Sequence, residues 1–151
     1  MSGPLRVRQA GLADVARIAP LFDAYRGFYG QAADLALAQA FLRERLALGE
    51  SFVLVAERGG ETVGFVQLYP LFSSVRVRRI LVLNDLYVAE SARRGGVAQA
   101  LLRETEALAR DAGALRLVLE TGEDNRAAQR LYEKLGWRHV SENRWYEREV
   151  G

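Results

Sequence analysis

The chain is 151 residues long, half of it apolar and 26% charged, which is the make-up of a globular domain with a core of its own. It has no cysteine, which excludes disulfides, thiolate metal sites and thiol nucleophiles, and its single histidine, His139, argues against a serine–histidine–aspartate triad or a multi-histidine metal site. Its 21 basic residues, all arginine except Lys134, stand against 19 acidic ones, and a net charge of +2 is too balanced to call for nucleic acid.

Leu5 to Arg8 is a short predicted strand, followed by a helix that starts near Asp14 and buries Val15, Ile18, Leu21, Phe22 and Tyr25 at helical spacing. Gly27 and Gly30 interrupt that pattern around Phe28 and Tyr29. A second helix spans about Asp34 to Leu48, with Gly49 where a helix-ending glycine belongs. Ser51 to Glu57 and Thr62 to Leu68 form a hairpin about Arg58-Gly59-Gly60-Glu61, and Pro70 marks a bulge or strand end. Arg79 to Val88, apolar on both faces, is the central strand. A loop from Ala89 to Gly96 leads into a helix to about Ala112, then a strand from Leu115 to Glu120 and a short helix from Arg126 to Leu135. Trp137 to Val140 and Arg144 to Val150 read as a closing hairpin. The order β-α-α-β-β-β-α-β-α-β-β predicts an α/β fold, a mixed sheet with helices packed on both faces, in a single domain over residues 1–151. Met1 to Arg8 has no signal-peptide character, and the longest uncharged run, Thr62 to Val75, falls short of the ~20 apolar residues of a membrane helix, so a soluble, cytoplasmic protein is expected.

The segment that carries chemistry is Leu86-Tyr87-Val88-Ala89-Glu90-Ser91-Ala92-Arg93-Arg94-Gly95-Gly96-Val97-Ala98. A buried strand ends, a glycine-bearing turn follows and an amphipathic helix begins. The amides of the turn and of the first helical turn have no internal partners and converge on one spot, where the helix dipole favours an anion such as a pyrophosphate. Gly95 and Gly96 let the backbone approach, and Arg93 and Arg94 add positive charge. Neither G-x-G-x-x-G nor Gly-Lys-Ser/Thr occurs in the chain, which sets aside the dinucleotide and Walker loops. Taken alone, the loop is equally a solvated turn with a helix cap.

Arg93-Arg94-Gly95-Gly96-Val97-Ala98 resembles the Q/R-x-x-G-x-G/A pyrophosphate loop of the GNAT superfamily of acetyl-CoA-dependent N-acetyltransferases. Asn125-Arg126-Ala127-Ala128-Gln129-Arg130-Leu131-Tyr132-Glu133-Lys134-Leu135-Gly136-Trp137 is similar to that family's N-x-x-A-x-x-L/F-Y-x-x-x-G-F/W segment. Asn84-Asp85-Leu86-Tyr87-Val88 resembles the corresponding strand of the polyamine and D-amino-acid acetyltransferase-like branch, except that Asn84 replaces the glutamate of the polyamine enzymes and cannot act as a base. The resemblance implies a sheet with splayed central strands and acetyl-CoA as cosubstrate, with no metal. It implies that the backbone of Leu86, Tyr87 and Val88 pairs with the pantetheine arm, that Arg93, Arg94, Gly95, Gly96, Val97 and Ala98 hold the pyrophosphate, and that Asn125 touches the cofactor. Tyr132 occupies the general-acid position.

For the base, Asp85 is the nearest carboxylate, although strand alternation points it away from Asn84 unless a bulge re-aims it. Glu120 is the runner-up, and a neutral amine taken from solution needs neither. Tyr25, Tyr29 and Asn84 are expected to line the acceptor site. So are Tyr69, Phe72, Ser73 and Ser74. Tyr132 also fits a packed core tyrosine, Asn125 a helix N-cap, and Trp137 and Trp145 packing residues. Arg76, Arg78 and Arg79 are either a solvated face or contacts for phosphate. The expected activity is acetyl transfer from acetyl-CoA to a primary amine of a small molecule by direct attack in a ternary complex. The alternatives are a peptide or protein acetyltransferase and a non-catalytic CoA-binding sensor. Neither nucleic acid nor membrane is expected as a partner; a homodimer is.

Overall fold

The computed structural model describes residues 3–151; Met1 and Ser2, which begin the segment read above as lacking signal-peptide character, lie outside them. The chain divides into two compact units, one ending at Glu120 and one spanning Thr121–Gly151.

The first unit is a five-stranded sheet in the order β1-β2-β3-β4-β5. Its strands are β1 (Leu5–Gln9), β2 (Phe52–Arg58), β3 (Glu61–Ser73), β4 (Arg78–Val88) and β5 (Leu117–Val118). The first four pair antiparallel, and β5 joins β4 parallel. Helices α1 (Val15–Phe28) and α2 (Leu35–Ala47) cover one face, and α3 (Val97–Asp111) covers the other. Alternation along the strands sorts the side chains between these layers. Val53, Val55 and Phe65 share a buried cluster with Val15, Ile18, Ala19 and Phe22 of α1 and with Ala38 and Leu42 of α2. On the other face Gly64 abuts Val97 and Leu101 of α3, whose buried stripe continues through Leu102, Thr105 and Ala109.

Local chemistry explains the element ends. The Asp34 side chain accepts from the Leu37 amide at 3.0 Å and starts α2 as a cap. Asp14 lies just ahead of α1, where it accepts from the Gly11 amide at 2.9 Å and from Arg8 and Arg17 at 2.7 and 2.8 Å. Glycine 113, with φ +70°, closes α3 in the left-handed region.

Four expectations are corrected. β3 runs straight through Pro70, because β2 begins at Phe52, opposite Leu68, and leaves Pro70 without a β2 partner to need its missing N–H. β5 is two residues rather than Leu115 to Glu120. Its contact with β4 covers Leu115 N to Arg79 O (2.7 Å), Leu81 N to Arg116 O (3.1 Å) and the pairs Leu81↔Leu117 and Val82↔Val118, after which pairing stops. Residues 83–88 of β4 therefore have no strand on that side among the described residues. In the second unit α4 (Arg126–Lys134) is present, but Trp137 to Val140 and Arg144 to Val150 are not strands. Their aromatic and β-branched residues favour extended backbone, yet without a ladder partner that preference makes no sheet. Trp145, read above as a packing residue, is 90% exposed.

Candidate active site

β4 organises the first unit's site. Across β3 its register runs Gly64↔Val88, Phe65↔Tyr87, Val66↔Leu86 and Gln67↔Asp85, then jumps to Leu68↔Leu83. Asn84 is thus an extra residue on β4, a bulge, and it removes the conflict that alternation posed for Asp85. Asn84 and Asp85 now line one cleft together, with Phe22, Tyr25, Arg26, Tyr29 and Gln31 of α1 and its following turn, Phe41 of α2 and Tyr69 of β3. The cleft holds about 310 Å³. Its walls are aromatic: Tyr25 packs edge-on to Tyr29 (5.1 Å between ring centroids) and to Phe65 and Tyr87, and Phe22 stacks on Phe41.

Asp85 is 4% exposed, and burial pushes its carboxyl above the usual carboxylate range. Hydrogen bonds pull it back: Gln67 Nε2 donates to Oδ2 at 2.7 Å and Asn84 Nδ2 donates to Oδ1 at 3.1 Å. The Tyr25 hydroxyl donates to the Asn84 carbonyl oxygen at 3.2 Å and adjoins the Asp85 carboxylate. Burial, then the Asp85 charge, raises the Tyr25 hydroxyl well above the ordinary tyrosine range, and the same two causes push Tyr69 up to about 12. At neutral pH both hydroxyls keep their protons, and that of Tyr25 serves as a donor.

Beyond Asp85 the strand runs on through Leu86, Tyr87 and Val88 with no strand beside it on the side where β5 has left β4, among the described residues. The chain then enters the turn. Arg94 adopts φ +65°, unusual for a residue with a side chain, and Gly96 adopts φ +78° directly before α3. The amides of Arg94 to Gln99 donate to no backbone carbonyl among the described residues. A left-handed residue followed by a helical one turns successive N–H groups inward, so the segment is a backbone cradle for an anion, at the positive end of α3. Arg58 of β2 braces it from below. Its Nη2 donates to the Gly95 carbonyl at 3.3 Å, and a Cβ on Gly95 would sit 3.0 Å from Nη1. The unpaired amides and the open edge of β4 together fit a substrate that carries both amide groups and phosphates. Arg93 turns away from the cradle: it donates to the Val88 carbonyl at 3.1 Å and lies over the Tyr87 ring.

Other expected residues lie elsewhere. Tyr69 is in the cleft, but Phe72, Ser73 and Ser74 line a separate groove with Val77, Arg78 and Arg79 at the β3–β4 turn. The arginine run at 76–79 begins β4 and the anion cradle follows its end. The rest of the strand, Ile80 to Val88 and roughly 30 Å long, separates them, so the run does not share the cradle's ligand. Glu120 is exposed and does not line the cleft. In the second unit Asn125 caps α4, its side chain accepting from the Ala128 amide at 3.3 Å. Tyr132, half-buried on α4, packs against Trp137 with ring centroids 5.9 Å apart. Gln67 was absent from the sequence reading. Its signal was a lone polar amide in the otherwise apolar strand Thr62 to Tyr69.

Comparison with known proteins identifies the family and the fold. The model of the acetyltransferase (GNAT) family matches residues 18–137. An uncharacterized N-acetyltransferase of Bacillus subtilis (strain 168), YhfO, is 50% identical over 88% of this chain and 89% of its own length. The crystal structure of a probable acetyltransferase is 40% identical and superposes with a TM-score of 0.91, over 97% of this chain and 98% of that one. An aminoglycoside N-acetyltransferase crystallised in complex with CoA shares the fold (TM-score 0.81, 99% and 98% of the two chains) at 17% identity. The chain belongs to the GNAT family of acetyltransferases.

Proposed function

We propose that this acetyltransferase moves the acetyl group of acetyl-CoA to a primary amine of a small molecule, by direct attack in a ternary complex. The observation that carries the reading is a buried carboxylate, Asp85, in a cleft of about 310 Å³ on the strand that runs on toward the anion cradle. That volume is at the small end of ligand pockets, the scale of a metabolite rather than of a folded protein partner. The aminoglycoside enzyme with CoA bound shows that the fold can carry this cosubstrate.

In this reading the β4 edge at Leu86, Tyr87 and Val88 pairs with the pantetheine amides as an added strand would, with the Val88 carbonyl exchanging its Arg93 donor for the cosubstrate. The amides of Arg94 to Ala98, with the charge of Arg94, hold the pyrophosphate, Arg93 reaches it only on leaving the Val88 carbonyl, and Asn125 contacts the cosubstrate. The thioester supplies an activated acyl group with a thiolate leaving group. Tyr25, Tyr29 and Asn84 line the acceptor site. A lysine-like ammonium has a reference pKa near 10.4, so it must lose a proton before it attacks. Asp85 takes that proton, and a carboxyl raised by burial is a stronger base than an exposed one. The nitrogen lone pair then forms the N–C bond as the C–S bond breaks, the nitrogen gives up its second proton to solvent, and Asp85 returns its proton to solvent to regain the carboxylate. Tyr132 passes its hydroxyl proton to the departing sulfur and recovers one from solvent.

Purified protein with acetyl-CoA is expected to release free CoA only when a small primary amine is added, with the acetylated amine seen by mass spectrometry. Turnover on peptides but on no small amine would transfer the reading to peptide acetylation. CoA binding with no turnover on any amine would make the chain a CoA sensor.

A further inference from the structure

Gln67 and Asp85 face each other across β3 and β4, brought into register by the Asn84 bulge. Gln67 is fully buried, and its Nε2 donates to Asp85 Oδ2 at 2.7 Å while its Oε1 is buried without a partner. A buried amide oxygen left unbonded carries a desolvation cost, and the strand around it is otherwise apolar. The arrangement fits a carboxyl that changes its protonation state. As a carboxylate Asp85 only accepts, and Nε2 serves it. Once it has taken a proton it must also donate, and turning the Gln67 amide about its last torsion brings the idle Oε1 to that proton.

We propose that Gln67 is the positioning residue of this site, aiming the Asp85 carboxylate into the cleft and serving as hydrogen-bond partner to both of its protonation states. The proposal rests on the reading of Asp85 as the proton acceptor. The proton leaves the acceptor ammonium for an Asp85 oxygen, the nitrogen keeps the electron pair, and Gln67 exchanges a donated hydrogen bond for an accepted one. The other polar groups facing Asp85 hold their state meanwhile. Tyr25 of α1 and Tyr69 of β3 stay protonated, Asn84 does not titrate, Tyr29 lies in the turn after α1, and Arg26 of α1 lines the cleft without an ion-pair partner among the described residues. From α2, Arg45 acts on Tyr69 and is itself engaged with Glu44 and Glu50.

Two readouts on Gln67→Met and Gln67→Glu test this: the titration of the Asp85 carboxyl in the free protein, followed by carbon-13 NMR, and the pH profile of kcat/KM. Losing a hydrogen bond to the charged form is expected to raise the Asp85 midpoint by about one pH unit in Gln67→Met. A second carboxyl beside it raises the upper midpoint further in Gln67→Glu. The acid limb of the rate profile moves with the midpoint, and most of the rate returns above it. An unmoved midpoint, or a uniform loss of rate at every pH, overturns the proposal. A midpoint that moves while the rate limb stays overturns Asp85 as the base, and with it the part assigned to Gln67 in the reaction. Should Gln67→Met not fold, the isosteric Gln67→Glu carries the same two readouts.

Discussion

Asp85 is held where its charge is expensive. Its folded midpoint lies above that of an exposed aspartate, so between those two values the folded chain binds more protons than the unfolded one, and stability falls as pH rises through that window. Asp85→Asn removes this cost. The variant is expected to melt at a higher temperature than the parent at pH 7, and at nearly the same temperature once pH falls below the ordinary aspartate range. If Asp85 is the base, the same variant loses about 100-fold or more in turnover at neutral pH and its acid limb disappears. Paired melting curves and pH–rate profiles check both, and a variant that gains neither stability nor loses rate removes Asp85 from the site. The sequence identified this carboxylate but not its direction. Alternation is a local rule, whereas the Asn84 bulge is fixed by where β3 places its own residues, Gln67 among them, eighteen positions from Asp85. Tyr25, Tyr29 and Asn84 do line one cleft, Tyr25 from α1, Tyr29 from the turn after it and Asn84 from the bulge in β4. Gln67 was legible only as an oddity, one amide among apolar neighbours.

At the scale of elements, the cradle depends on how closely α3 approaches the sheet. Gly64 sets that approach: a Cβ there would lie 3.0 Å from Val97 Cγ1, 3.1 Å from the Tyr87 carbonyl oxygen and 3.2 Å from Leu101 Cδ1. The Tyr87 oxygen is backbone of the sheet and cannot swing aside, so Val97 and Leu101 of α3 must shift instead. Gly64→Ala is expected to cost about 1–3 kcal/mol by denaturant unfolding. Because Val97 is the first residue of α3, the strain falls on the cradle, and CoA affinity measured by calorimetry should weaken as well. Full CoA affinity in a destabilised variant would show that the cradle is independent of this packing. The cradle itself was readable from sequence, since two glycines, a helix start and the end of an apolar strand are neighbours in the chain. The closing hairpin was misread for the opposite reason. Trp145, Tyr146 and Val150 have the residue types of a strand, but a strand exists only when another one pairs with it, and no residue near in sequence reveals that. The shortness of β5 is the same lesson, and here it is useful: where β5 leaves β4, an edge is free for a substrate.

For the whole molecule, an excess of two positive charges in 151 residues is a small field, and the sites where it matters are local. The cradle draws on backbone amides and a helix terminus, neither of which appears in a charge count. Binding there is therefore expected to couple to global stability while depending only partly on salt. A ligand that binds the folded chain alone at a hundred times its Kd adds about 2.7 kcal/mol. For a chain of this size that corresponds to a rise in Tm of roughly 5–10 °C. CoA is expected to produce such a rise once its Kd has been measured by calorimetry, and most of the rise should survive a change from low to moderate salt, because fixed amides are screened less than mobile arginines. A nucleic-acid ligand behaves otherwise: its affinity comes from many phosphates meeting many side chains and collapses over the same salt range. Thermal melts with CoA and with a short DNA duplex, each at two salt concentrations, separate the two. A shift given by the duplex and not by CoA would mean that the arginines, and not the amides between Arg94 and Gln99, are what this chain uses to hold phosphate.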